Sequence, residues 1–297
     1  MSVQKMEKSK QVVCEPTSGL ASRIYVLAEA YKLAKDTGHE LVIVWQKTSD
    51  CDCYYKDVFD TRQFADVPMR VYEYDFFNFK LKDLKGGARA TDILRIAKEV
   101  LVRAASKMKY TITTKKLKNE CSLLKNSYQD GNFLLDPVAA EDKSCYIEAY
   151  NCITGIHDLS DIIFKQSYVD RAAQVLNGNE DRCIGVHIRR TDHKPATEES
   201  LTSSFVARIR AILEENPGYL FYVSTDDLTE QETLIQQFGE HIIFQKGKVL
   251  SRSSQEGMES AVIDMLCLSR TKYILGSYSS IFSRFSAEYG NVELKIM

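Results

Sequence analysis

Between Gly185 and Lys194 the stretch GVHIRRTDHK sets two adjacent arginines, a histidine, an aspartate and a lysine directly after an apolar run. Planar guanidinium forks match phosphate oxygens two at a time, so Arg189 and Arg190 at a strand end read as a clamp for a diphosphate. Surface salt bridges are the other use of such a pair. The abrupt passage from alternating Ile184, Val186 and Ile188 to Arg-Arg-Thr-Asp, with His187 just before it and Asp192 closing it, favours the clamp.

Three further places carry matching chemistry. STDD, Ser224 to Asp227, follows the apolar LFYV. An acid such as Asp226 suits sugar hydroxyls, whereas Asp227 before LTEQE equally suits a helix cap. Asp264 stands at a mostly apolar position of ESAVIDMLCLSR. It reads either as a partly exposed carboxylate at a helix edge or as acceptor for the paired N1–H and N2–H donors of guanine. In GSYSSIFSRF, Ser279 and Ser280 meet a helix N-terminus, where hydroxyls and unpaired N–H groups make an anion site or simply a cap. Together the four describe a pocket for a diphosphate and its base or sugar.

The elements that must position these residues alternate regularly. From CIGVHI through TSSFVARIRAILEEN, YLFYVST, LTEQETLIQQFG, HIIFQ, QEGMESAVIDMLCLSR, KYILGS and SIFSRFSAEYG, strand follows helix follows strand. That is the sequence form of an α/β domain with a parallel sheet, in which ligands collect at the carboxyl ends of the strands. All four candidate places sit at such ends or on a helix beside them. The first half opens the same way: KQVVCE reads as a strand, and Leu20, Ile24, Leu27, Ala28, Tyr31 and Ala34 give one apolar helical face. Gly38 then reads as a stop before the strand ELVIVW. VYEYDFFNF reads as another strand, and TDILRIAKEVLVRAASK as a helix begun by Thr91. With 297 residues the prior is two domains, expected at 1–168 and 169–297 as two Rossmann-like α/β domains with mostly parallel sheets.

A formal charge of −2 gives no whole-chain case for nucleic acid as a partner. The charge is uneven, since Lys80 to Lys118 holds twelve basic and three acidic residues. The expected use is a solvated helical face, with peripheral contact to anionic lipid or acidic glycan as the second reading. Met1 to Gln11 lacks the apolar core of a signal peptide, and no long apolar run occurs, so the expectation is a cytoplasmic protein, peripheral to a membrane at most. Eight cysteines without a CxxC pair are expected to be reduced and structural, with Cys51 and Cys53 on a surface loop.

HIRRTD resembles the His-x-Arg-Arg-Thr-Asp signature of α1,6-fucosyltransferases, and is close to the His-x-Arg-Arg-Gly-Asp form of the α1,2-fucosyltransferases. DMLCLSRTKYILGSYSSIFS resembles their third motif, and SGLASRI is similar to their N-terminal glycine loop, with Ala21 and Ser22 replacing a glycine and an asparagine. The resemblance covers Ile184 to Tyr289 well and the first half weakly.

It implies a GT-B-like glycosyltransferase that is inverting, uses GDP-fucose as donor, and needs no metal or other cofactor. His187 and Asp264 would contact guanosine, Arg189 would hold the β-phosphate, Arg190 and Asp192 would shape the same loop, and Ser279 and Ser280 would bind the diphosphate. The general base would be a glutamate a few residues after Arg190. An ungapped count falls on Thr197, so Glu198 needs a shift of one residue, and Glu199 and Asp192 stay open. The acceptor would be an oligosaccharide or glycolipid docked on the N-terminal domain. Three rivals remain: a non-catalytic guanine-nucleotide or glycan binder, a phosphohydrolase using His187, and a metal-dependent GT-A transferase using the D-x-D of Asp50, Cys51 and Asp52.

Overall fold

The computed structural model describes residues 9–76, 90–125, 143–153, 155, 158–191 and 194–297. Asp192, residues 77–79 of the expected third strand, residues 80–89 of the basic segment and the first eight residues lie outside these. The chain divides into two compact units, Met1–Ile163 and Phe164–Met297. The division falls ahead of α4 (Gln166–Leu176), whereas a boundary at 168 would cut that helix.

Unit 1 runs β1 (Gln11–Pro16), α1 (Leu20–Thr37), β2 (Glu40–Gln46), α2 (Tyr55–Val58), β3 (Met69–Tyr74), α3 (Ala90–Glu120), β4 (Ser122–Lys125) and β5 (Cys145–Ala149). Its sheet has the order β3-β2-β1-β5-β4, with every pairing parallel. Parallel sheets bury both faces, which is why β2 reads as an unbroken apolar run from Leu41 to Trp45. Val13, Val42, Val44, Tyr146 and Leu117 form the core on one face. The apolar positions predicted for α1 are all buried. Gly38 ends α1 in the left-handed region at φ 66°, its N–H capping Ala34 and Lys35.

The loop SGLASRI leads into α1, and its left-handed residue is Ser18 at φ 69°, not the glycine. Arg23, 1% exposed, braces this loop. Its guanidinium donates to the carbonyls of Ser18 at 2.8 Å and Gln46 at 2.7 Å and to Thr48 Oγ1 at 3.0 Å, and lies over Trp45. Cys51 and Cys53 are buried beside it with sulfurs 3.6 Å apart, which corrects the expectation of a surface loop. They pack here because Trp45 Nε1 donates to the Cys53 carbonyl and pulls the turn inward.

Unit 2 runs α4, β6 (Cys183–Ile188), α5 (Lys194–Glu199), α6 (Thr202–Glu215), β7 (Leu220–Thr225), α7 (Leu228–Phe238), β8 (Ile242–Ile243), α8 (Gln255–Leu268), β9 (Tyr273–Gly276), α9 (Ile281–Gly290) and β10 (Glu293–Ile296). The order is β10-β9-β6-β7-β8, again parallel throughout. Ile184, Val186 and Ile188 of β6 pack with Phe221 and Val223 of β7 and with Phe205 and Ile209 of α6. The alternation predicted from sequence therefore puts His187 on the opposite face, towards α8 and α9. Among the described residues no helix is long and apolar enough to cross a membrane.

Candidate active site

In unit 2 the central strand β6 lies between β9 and β7, so the turns leaving their carboxyl ends are neighbours. Hydrogen bonds weld them together. Arg189 N–H donates to Ser277 Oγ at 3.0 Å, and Ser277 N–H donates to the His187 carbonyl at 3.1 Å. On the other side Asp226 receives the N–H of Arg190 at 2.8 Å and the Thr191 hydroxyl at 2.7 Å. The Arg-Arg-Thr turn is thus clasped between the turns that follow β9 and β7.

The Arg190 side chain is tied into the fold. Arg190 donates through Nε to Glu230 at 2.7 Å and through Nη2 to Thr202 Oγ1 at 3.0 Å, with Nη1 reaching the Arg189 carbonyl at 3.2 Å. Its side chain is almost buried and ties the turn to α6 and α7. Asp227 is the N-cap of α7, accepting from Thr229 N–H at 2.8 Å, while Asp226 holds the turn.

His187 is 6% exposed. Its Nδ1 lies 2.7 Å from Ser283 Oγ, with Ser280 Oγ at 3.5 Å and the Phe282 ring stacked at 4.8 Å. Burial pushes its pKa down to about 3; Asp226 opposes the fall, and Arg189, Lys248 and Arg252 add to it. The imidazole is therefore neutral at physiological pH. Gly276 makes this packing feasible, since a Cβ there would lie 2.9 Å from the Ser283 side chain.

Register places Ser224 of β7 opposite His187. The Ser224 hydroxyl donates to Asp264 at 2.8 Å, and Asp264 also accepts from Tyr222 and, at 3.4 Å, from Lys248 Nζ. Burial, reinforced by the Asp264 charge, raises the Tyr222 phenol well above its ordinary range and keeps it a donor. Lys248 and Asp264 form a buried ion pair, their side chains 2% and 7% exposed. Asp264 is therefore an internal, paired carboxylate, not one on an exposed helix edge.

The last component is the N-terminus of α9. Ser279 takes φ 53°, a conformation that costs a non-glycine residue energy and recurs at ligand sites. Ser280 caps the helix by accepting from Ser283 N–H. Glu198 and Glu199 lie exposed at the end of α5, where Thr197 Oγ1 donates to the Arg190 carbonyl at 3.1 Å. Sequence reasoning missed Ser277, Ser283, Phe282, Tyr222 and Lys248. Ser283 was recoverable as the N3 position of a helix capped at Ser280; Lys248 lies in a loop that gives no periodic signal.

In unit 1 Asp52 of the D-x-D is paired with Lys47 at 2.9 Å, and Cys51 between the acids is buried. Among the described residues no three His, Cys, Asp or Glu side chains gather as a metal site.

No family model and no curated protein matches the sequence significantly. Solved structures do match. The fucosyltransferase NodZ from Bradyrhizobium superposes with a TM-score of 0.57 at 17% identity, over 94% of this chain and 92% of that one. POFUT1 in complex with GDP-fucose gives 0.54 at 8% identity over 99% of both chains. A mutant of Arabidopsis thaliana FUT1 in complex with GDP gives 0.54 at 15% identity, over 99% of this chain and 71% of that one. The chain has the fold of these fucosyltransferases. The GT-B-like architecture expected from the resemblance is thereby borne out, with two parallel sheets where a GT-A reading of the D-x-D would require another fold.

Proposed function

We propose that the chain is a glycosyltransferase that moves L-fucose from GDP-fucose to a hydroxyl of an oligosaccharide or glycolipid, with inversion and without a metal. The observation that carries this reading is the weld between the turns after β6 and β9. It holds Arg189 next to the α9 N-terminus through Ser277, at the strand ends where α/β folds receive phosphates. The structural neighbours solved with GDP or GDP-fucose support the choice of nucleotide.

In this reading Arg189, Ser279, Ser280 and the first N–H groups of α9 hold the diphosphate, while neutral His187 and Asp264 face the guanosine. Arg190 and Asp226 fix the turn. The acceptor oxygen forms its bond to the fucose anomeric carbon as the bond from that carbon to the β-phosphate oxygen breaks, and GDP departs with the electron pair. Arg189 is worth most in the transition state, where negative charge grows on the leaving oxygen. Glu198 takes the acceptor proton, with Glu199 and Asp192 as the other carboxylates of the segment. A phosphohydrolase using His187 as a general acid would need it protonated near neutrality, and its lowered pKa argues against that role.

The test is thermal unfolding with GDP, GDP-fucose, GDP-mannose, UDP and ADP, each with and without a chelator, followed by an acceptor screen. A ligand at about 100 times its Kd stabilises by about 2.7 kcal/mol. A guanine-selective shift that survives chelation is expected. Absence of guanine preference overturns the Asp264 assignment, and GDP binding without fucose transfer or release would make the chain a binder.

A further inference from the structure

Helix α3 spans 31 residues, Ala90–Glu120, and from Ser106 onward one side of it packs on the unit 1 sheet. Tyr110 donates to Glu15, Ser106 Oγ accepts the Asp75 N–H at 3.1 Å, and Thr114 and Leu117 are buried. The opposite side is unexpectedly apolar. Leu101 is 70% exposed, Met108 60% and Ile112 61%. At about 100° per residue these three lie within roughly 40° of one line, diametrically across the helix from Tyr110 and Leu117. Five of the twelve exposed large apolar side chains of the described residues belong to this helix, so the stripe is a concentration and not the usual scatter.

Exposed lysines border the stripe, Lys98 and Lys109 along one edge and Lys115 along the other. An apolar stripe between cationic borders is the pattern of a helix that lies in a lipid interface, its apolar side chains in the acyl boundary and its lysines reaching the headgroups. We infer that this face of α3 docks the chain on an anionic phospholipid surface. Charge selects this occupant over a second copy of the chain. The Leu101, Met108 and Ile112 spacing would also suit a helix pair, but it would bring two lysine-rich helices into register and they would repel. Negative headgroups instead gather around the same lysines. The inference stands on α3 alone and needs nothing from the proposed transfer chemistry.

Flotation of the full chain with vesicles of phosphatidylcholine alone, or of phosphatidylcholine with phosphatidylserine, tests it. Association with the phosphatidylserine vesicles only, weakening as salt is raised, is expected. The combined Leu101→Ser, Met108→Ser and Ile112→Ser variant and the combined Lys98→Gln, Lys109→Gln and Lys115→Gln variant should each lose at least about tenfold in partitioning. Both should melt with wild type, since all six side chains are exposed, and both should keep any stabilisation by GDP. The donor site and the docking face can therefore fail separately. No association with phosphatidylserine vesicles, undiminished association of both variants, or a solution dimer that the serine variant dissolves would each overturn the proposal.

Discussion

Burial among Ser280, Ser283 and Phe282 keeps the His187 imidazole neutral down to about pH 3. An unfolded histidine takes its proton near 6.5, so between the two values the unfolded chain binds one proton more than the folded one. His187 therefore costs no stability above pH 6.5. As pH falls below that, it withdraws up to about 1.4 kcal/mol per unit. Melting temperatures of wild type and His187→Gln, followed from pH 7.5 to pH 4.5, should differ in slope, with wild type falling faster as acid is added; parallel curves would contradict the burial.

The paired arginines make a second contrast at this scale. Arg190→Ala strips Glu230 of its buried partner, at a cost of the order of 3 kcal/mol, and should lower the melting temperature visibly. Arg189→Ala should reduce transfer by 100-fold or more, on the order of the loss seen when a donor to a developing oxyanion is removed, and far more than it lowers the melting temperature. Equal activity in Arg189→Ala, measured as GDP release in the presence of acceptor, would remove it from the mechanism. His187, Arg189 and Arg190 were legible because they lie contiguously at the end of an alternating strand. Ser277 and Lys248 were not, because their roles arise from contacts 88 and 16 residues away in sequence.

At the scale of elements, the loop carrying Lys248 is pinned against α8. Ser254 caps the helix by accepting from Gly257 N–H, and Ser260 Oγ accepts from Val249 N–H at 3.2 Å. A Cβ on Gly257 would meet the Ser251 carbonyl oxygen at 1.8 Å, so nothing larger than glycine fits without moving backbone. Gly257→Ala should cost about 1–3 kcal/mol in thermal stability through this overlap, and a variant that melts with wild type would refute the close approach. The helices α1 and α6 to α9, and the strands β6, β7 and β9, were legible because a long period or a buried run marks them; α4 was not read as a helix. The strands β4, β5 and β10 were not read. β5 has only five residues inside the least patterned stretch, and β10 is an edge strand whose Glu293 and Ile296 are exposed, so neither shows a distinctive run. α5, six residues long, is too short to show a period.

For the whole molecule, the parallel pairing in both sheets sets how the chain must assemble. Parallel neighbours cannot be joined by a hairpin, so each pairing waits for a crossover to be made, and widely separated contacts form slowly. The spans differ between the units. Gln11 of β1 and Glu15 beside it meet Ser144 and Tyr146 of the β5 region across 133 and 131 residues, whereas the turns after β6 and β9 meet across 88. During synthesis or refolding β1 can pair with β2 early, but its other edge stays open until β5 arrives. Pulse-labelled hydrogen exchange during refolding should accordingly protect the amides of β6, β7 and β9 before those of β1 facing β5, and the reverse order would contradict this picture. While it is open, that edge is an apolar strand with free backbone groups, the part of a nascent chain most prone to pair with a neighbour. Overproduction at lowered temperature, or with a holdase chaperone that shields the strand until β5 is complete, should therefore raise the soluble yield more than any substitution at the proposed nucleotide site.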